Sequence, residues 1–561
     1  MRFLLSDRSG PGLAGRAIAA VTAVLLIAGC SGGGRSALTP AVTTAPPSGP
    51  QAASAKVTFT MHWASAAQSA ARNPRYVPAT ARSISVTVNG GVPQYLNAPA
   101  STLVIDAPVG TDTFAFATYD EQNGQGNVLS RASVTQQITL AAANTISAVL
   151  NGVVTTLAIS LSNPAPNAGA PATVNVNVAA KDADGNTIVG PGDYSTPIHL
   201  AATIPAANEN GTLSLSTTTI PNSATSATLA YNGGTLSTAT VVATATGVTS
   251  ASTTFAPTPT VYQFAIPVAA NRPQFIARGS DGNMWFTESP GNAVARITPA
   301  GVVTEFPVPT AAANPQQIVA ASDGNLWLTE FSANKLARVT TSGTFTEFTT
   351  LFAPPPNDNP FGLVDRGDGN VWYVANGSSR VGFQGITSGV SGETSIPTAN
   401  SGPYGIAAAP DNNLYYTESA TDKIGRIANL FTAQSEISLT TGTVPEGIVR
   451  GPDGNLWFTE YGSSKIGRLS PSSFSVTGEF PTLTANGTPT GITVGQDGAL
   501  WFTETGLDKI GRITTGGTMT EYASPVTGLG LKGIAVAPDG SLWFAEPGTG
   551  LNPGAIGKLV Y

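Results

Sequence analysis

Asp281-Gly282-Asn283-Met284-Trp285-Phe286-Thr287-Glu288 returns as Asp323-Gly324-Asn325-Leu326-Trp327-Leu328-Thr329-Glu330, and the register opens again at Asp368, Asp411, Asp453, Asp497 and Asp539. The intervals are 42, 45, 43, 42, 44 and 42 residues. Seven copies at this period predict seven four-stranded propeller blades. The aromatic position holds Trp285, Trp327, Trp372, Tyr415, Trp457, Trp501 and Trp543, so six of the chain's seven tryptophans share one register. Rings repeated in this way are expected to pack blade against blade; seven sugar-stacking sites is the weaker alternative.

Each repeat parses into four strands, illustrated by Pro445-Glu446-Gly447-Ile448, Leu456 to Glu460, Lys465 to Leu469 and, from another copy, Thr304-Glu305-Phe306-Pro307. The last copy ends at Ile556–Tyr561, one strand short. Tyr262-Gln263-Phe264-Ala265-Ile266-Pro267 aligns with Thr304-Glu305-Phe306-Pro307-Val308-Pro309, and is expected to complete the last blade and cover an open sheet edge.

Ahead of the repeats the pattern changes. Residues 56–152 and 153–257 show short alternating runs such as Ser83–Val88, Thr113–Tyr119, Ala172–Val178, Ala227–Tyr231 and Thr240–Ala245, with turn chemistry at Asn89-Gly90-Gly91 and Asn123-Gly124. They predict two small β-sandwich modules, the second resembling the immunoglobulin-like modules of bacterial surface proteins, and both read as stalks. Asp182-Ala183-Asp184-Gly185-Asn186 starts like a calcium loop, but Asp193 stands where its glutamate belongs, so an Asp-Gly hairpin turn is expected. The fold class is therefore all-β: a seven-bladed propeller over 258–561 preceded by two sandwiches.

Composition narrows the chemistry. Glycine (62) and proline (42) suit a turn-rich β protein, and a net charge of −7 over 561 residues leaves no footprint for nucleic acid. His62 and His199 are the only histidines and Cys30 the only cysteine, which excludes intrachain disulfides, cysteine-rich zinc sites and Cys–His nucleophilic pairs. His62, beside Trp63, reads as a packed or surface residue.

Residues 1–29 read as a signal peptide: Arg2, Arg8 and Arg16 precede an uncharged stretch from Ala17 to Gly29. Ile27-Ala28-Gly29-Cys30 resembles the bacterial lipobox, which implies lipidation of Cys30 and anchoring in a lipid bilayer of the cell envelope. Ser31 after the cysteine resembles lipoproteins sent to the outer membrane where there are two. Residues 30–55 read as a flexible tether.

The repeated Trp-Phe-Thr-Glu, Lys-Ile-Gly-Arg-Ile and Thr-Glu-Phe-Pro phrases over 261–561 resemble the streptogramin lyase (virginiamycin B lyase) family. That resemblance implies eliminative opening of a lactone ester with magnesium and a histidine base, carried in Pro-His-(Ala or Gly)-Ile segments of the last two repeats. Here those histidine positions are Thr490 and Lys532, and the family's accompanying acidic position is Gly530. A threonine hydroxyl is no general base at neutral pH, and a lysine of ordinary pKa, about 10.4, is protonated. The resemblance thus supports the fold and argues against the activity: no catalytic residue, metal ligand or cofactor is predicted, with magnesium reserved for the lyase alternative.

Two sets of residues fall on one face of the ring. Gln274, Gln316, Phe361, Tyr404, Glu446, Thr490 and Lys532 vary from blade to blade and are the candidate ligand-binding residues at the channel mouth. Glu288, Glu330, Glu418, Glu460, Glu504 and Glu546 repeat, with Ala375 breaking the series, and are expected to pair locally with Lys335, Lys423, Lys465 or Lys509. Two functions follow as alternatives. One is an envelope lipoprotein whose propeller binds a protein, glycan or small molecule. The other is an enzyme, either a magnesium-dependent lyase or a metal-assisted hydrolase of a cyclic ester.

Overall fold

The computed structural model describes residues 53–61 and 80–561, apart from short stretches within 141–149, 190–192, 205–209, 269–270, 352–357, 429–432 and 549–551. Cys30, His62 and residues 1–52 lie outside the described residues. What is described is all-β, with seven four-stranded antiparallel sheets after residue 259.

Blade 5 shows how the repeat makes a blade. Its strands are Pro445–Arg450, Leu456–Glu460, Lys465–Ser470 and Ser475–Pro481, from the channel outward. Between the first two, Gly454 takes φ +79°, which a side chain would resist, and the Asp453 carboxylate accepts from the Asn455 amide at 3.1 Å. The same carboxylate accepts the Trp457 indole N–H at 3.1 Å. Asp and Trp recur together because one carboxylate caps the turn and satisfies the buried indole.

Trp457 is fully buried and packs with Ile466 of its own blade against Leu500, Phe502 and Ile513 of the next. Burying such a ring removes roughly 200 Å² from water, about 5 kcal/mol at 25 cal/mol/Å². Phe480 stacks on it at 5.5 Å between centroids, and Arg468 lies 5.5 Å from the ring centroid. The tryptophan register is blade-to-blade packing.

The ring closes through its first strand. Thr260–Ala265 pairs antiparallel with Ala555–Val560, from Thr260 opposite Val560 to Ala265 opposite Ala555. Phe264 stacks on Trp543 at 5.2 Å, reproducing within the seventh blade the Phe480–Trp457 contact.

Upstream, a two-stranded sheet (Ser54–Thr60 with Thr102–Pro108) and a five-stranded sheet share a core around Phe59, Ile84, Phe114 and Phe116. Two four-stranded sheets then share a second core around Leu229, Tyr231 and Phe255. Asp182 to Asn186 forms a turn in which the Asp182 carboxylate accepts from the Asp184 and Asn186 amides at 3.1 and 2.9 Å. This second unit docks on the propeller: Tyr262 Oη donates to the Ala168 carbonyl at 2.7 Å, Asn210 to Gln496 at 3.0 Å, and the Leu236 amide to the Tyr561 carbonyl at 3.0 Å. Gln496 follows the end of the inner strand Pro489–Val494, opposite the end where Pro489 pairs with Glu504. The docked unit therefore leaves the Pro-x-Gly face open.

Candidate ligand site at the propeller mouth

In blades 1 to 6 the inner strand begins at a proline opposite the last residue of the second strand, as in Pro445 opposite Glu460, and in blade 7 Leu531 stands in the proline position. The residue after that proline stands at the channel mouth. The next is glycine in blades 3 to 7 because neighbouring inner strands converge there. A Cβ on Gly405, Gly447 or Gly491 would lie 2.4–2.5 Å from the carbonyl oxygen of Glu446, Thr490 or Lys532. Below the mouth these backbones enclose a cavity of about 80 Å³ lined by Gly362, Gly405, Gly447, Gly491 and Gly533 with isoleucine side chains, and rimmed by Tyr404 and Thr490.

The threonine of Trp-Phe-Thr-Glu fixes the mouth residues, a role the sequence reading missed. Thr417 Oγ1 donates to the Glu446 carbonyl of the next blade at 2.6 Å, Thr459 to that of Thr490 at 2.9 Å, and Thr503 to that of Lys532 at 2.5 Å. The same hydroxyls accept the amides of Gly405, Gly447 and Gly491 at 2.8, 2.8 and 3.0 Å. One hydroxyl thus joins two inner strands while leaving the mouth side chains free to differ. Its repetition beside the tryptophan was the available signal.

The structure brings the candidate residues into two arcs. On one, Phe361 and Tyr404 pack at 4.2 Å between centroids, with Phe275 and Phe331 edge-on to Phe361 at 5.7 and 6.0 Å. On the other, Lys532 Nζ donates to Gln274 Oε1 at 2.6 Å, and Thr490 Oγ1 meets Thr505 Oγ1 at 2.7 Å. Gln316 turns aside to donate to Asn314 at 2.8 Å. Glu446 joins the arcs: burial pushes its carboxyl up to about 7, opposed by the Lys532 charge and a hydrogen bond with Thr490. Burial pulls the Lys532 ammonium below its ordinary pKa, opposed by Glu446. Burial also raises the Tyr404 phenol well above its usual value, helped by Glu446 and then Tyr461. The sequence put Glu446 two blades from Lys532; the structure places each in the other's field.

The glutamate series is a correction. Lys335, Lys423, Lys465 and Lys509 pair not with the second-strand glutamates but with Glu347, Glu436, Glu479 and Glu521 of the fourth strands, at 2.6–2.8 Å. Three of these pairs also staple blades. Thr310, Thr398 and Thr484, each from the preceding connection, donate through amide and hydroxyl to Glu347, Glu436 and Glu521. The second-strand carboxyls are left fully buried, and burial pushes Glu288, Glu330 and Glu504 up to about 8 and Glu418 and Glu546 to about 7. At pH 7 a carboxyl at about 8 is mostly protonated and one at about 7 about half so, which lessens the need for a lysine partner.

Magnesium does not suit this mouth. It takes hard oxygen ligands in an octahedron, and the mouth offers one carboxylate, Glu446, already in the field of an ammonium. Among the described residues no three His, Cys, Asp or Glu side chains gather as metal ligands.

Fold and mouth together define a seven-bladed propeller closed by its first strand, with polar and aromatic side chains around the channel mouth on one face. The chain belongs to the virginiamycin B lyase family, whose sequence profile matches residues 248–391 and 390–559. Two crystal structures of virginiamycin B lyase from Staphylococcus aureus are similar. One, selenomethionine-substituted, is 33% identical at a TM-score of 0.50, over 54% of this chain and 100% of its own. The other, a catalytically inactive histidine-to-alanine variant with quinupristin, is 32% identical at 0.50 over the same shares. A streptogramin B lyase structure is 34% identical at a TM-score of 0.49, over 54% of this chain and 97% of its own. None of the curated proteins matches the chain.

Proposed function

We propose that this protein is a cell-envelope lipoprotein, anchored through Cys30, whose propeller mouth binds a small molecule or glycan and does not open streptogramin lactones. The observation that carries the reading is the occupancy of the family's two histidine positions by Thr490 and Lys532 in a propeller without histidine. The related lyase variant that has lost a histidine is catalytically inactive yet is crystallised with quinupristin. Binding and turnover therefore separate on this scaffold. The aromatic arc of Phe361 and Tyr404 suits a ring face, and the arc of Glu446, Thr490, Lys532 and Gln274 suits hydrogen-bonding groups beside it. The two upstream units, the second of them docked away from the mouth, act as the stalk.

A second reading, a lyase or hydrolase with a rebuilt acid–base pair, is favoured by one observation: Glu446 and Lys532 perturb each other, and Glu446 is poised near pH 7. Calorimetric titration of quinupristin into the native protein and Tyr404→Ala tests the mouth as a binding site. A saturable heat weakened by the substitution is expected; identical titrations would remove the mouth from the account.

A further inference from the structure

We propose that Lys532 is a carbonyl-capturing residue, forming an imine with aldehyde- or ketone-bearing ligands that enter the propeller mouth. The inference rests on the mouth being the ligand site, and it goes further by assigning covalent chemistry to one side chain there.

Of the chain's eight lysines, four are committed to fourth-strand glutamates and Lys558 to Asp539 at 3.0 Å. Lys532 is different. Its amine is held at the mouth by a neutral acceptor, Gln274 Oε1 at 2.6 Å, and the residue is only half-buried. A lysine needs its neutral form to attack a carbonyl, and burial shifts Lys532 in that direction. Glu446, raised to about 7, can hold or release a proton near neutrality.

The steps balance with these groups alone. The Lys532 nitrogen lone pair forms a bond to the carbonyl carbon, and the C=O π pair moves to oxygen. After proton transfer from nitrogen to oxygen the product is a carbinolamine. Glu446 then donates its proton to the hydroxyl, which leaves as water while the nitrogen lone pair forms C=N. The result is an iminium on Lys532 and a carboxylate on Glu446, an ion pair in place of the original two groups. Nothing is oxidised or reduced. Phe361 and Tyr404 occupy the matching mouth positions of blades 3 and 4, so carbonyl compounds carrying a ring are favoured over small ones.

The test uses the purified full chain with benzaldehyde and sodium cyanoborohydride at pH 7, followed by digestion and mass spectrometry of every lysine. Lys532 is expected to be trapped faster than exposed Lys56, since burial lowers its pKa and so raises the fraction of its amine that is neutral. Benzaldehyde is expected to outpace acetaldehyde at Lys532 but not at Lys56. Labelling of Lys532 no faster than Lys56 would overturn the proposal, as would the same benzaldehyde-to-acetaldehyde rate ratio at both lysines. If quinupristin binds in calorimetry while Lys532 stays unlabelled, the mouth reading stands and the imine chemistry falls. Selective labelling without quinupristin binding supports the imine chemistry and limits what the mouth accepts.

Discussion

Lys532 Nζ and Gln274 Oε1 meet at 2.6 Å, although 258 residues separate them in the chain. The bond joins the seventh blade to the first at the mouth, and it exists only because the ring is closed. The mouth's electrostatics are thus a product of closure.

Glu446 and Lys532 each hold the other toward its charged form, so removing either shifts its partner in a known direction. Glu446→Gln is expected to lower the Lys532 pKa further, and Lys532→Met to raise Glu446 above about 7. A change of about one unit corresponds to about 1.4 kcal/mol of lost interaction. Titration followed by NMR of labelled lysine or glutamate side chains reads both. An unmoved Lys532 in Glu446→Gln would show that the two groups do not interact.

Stability is expected to peak near pH 5 and decline toward pH 9. Glu288, Glu330 and Glu504 titrate at about 8 in the folded chain against 4.5 when free, so the folded state holds more protons between those values. Their contribution is complete below about pH 4.5 and is lost as pH rises through 8. Glu347, Glu436 and Glu521 are held below 4.5 despite burial, chiefly by their lysines, and lose their contribution as pH falls further. Glu504→Gln is expected to be roughly 2 kcal/mol more stable than the native protein at pH 9 and close to it at pH 5. Denaturant unfolding at both pH values checks this; equal effects at both would contradict the assignment.

Deleting Val261–Pro267 removes the strand that pairs with Ala555–Val560 and strips Phe264 from Trp543. A large fall in melting temperature is expected. Phe264→Ala, which keeps the strand, is expected to cost about 3 kcal/mol. A melting temperature unchanged by the deletion would mean the ring does not depend on this closure.

Cys30→Ala is expected to abolish acyl labelling and release the protein from membranes. Unchanged palmitate incorporation would place the lipid elsewhere or remove it from the account.

The fold was legible because its determinants are local and repeated. Asp453, Gly454 and Trp457 sit within five residues, and seven copies average out the exceptions. Closure was legible for the same reason, since Tyr262–Pro267 carries the fourth-strand phrase at the wrong end of the chain. The place of Phe361, Tyr404, Glu446 and Thr490 at the start of the inner strands was legible, because a proline and a glycine flank each of them. Their partnerships were not. Lys532 with Gln274, and Glu446 with Lys532, depend on side chains crossing between blades, which no single repeat encodes. The lysines were misassigned because Glu460 and Lys465 stand opposite each other across a hairpin, a natural ion pair on sequence grounds. Lys465 instead reaches Glu479 on the fourth strand, where both groups keep contact with solvent, and Glu460 stays in the dry interior.

Incubation of quinupristin with the purified full chain, with and without magnesium, separates binding from turnover at the propeller mouth. Eliminative ring opening leaves the mass unchanged, so the product is read by chromatography with tandem mass spectrometry rather than by mass alone. A binding propeller without the family's histidines is expected to bind the antibiotic and return it intact, because general-base catalysis supplies about 10²–10⁴-fold and its usual groups are absent. Magnesium-dependent ring opening that disappears in Glu446→Gln or Lys532→Met would contradict the account and show a lyase rebuilt around that pair.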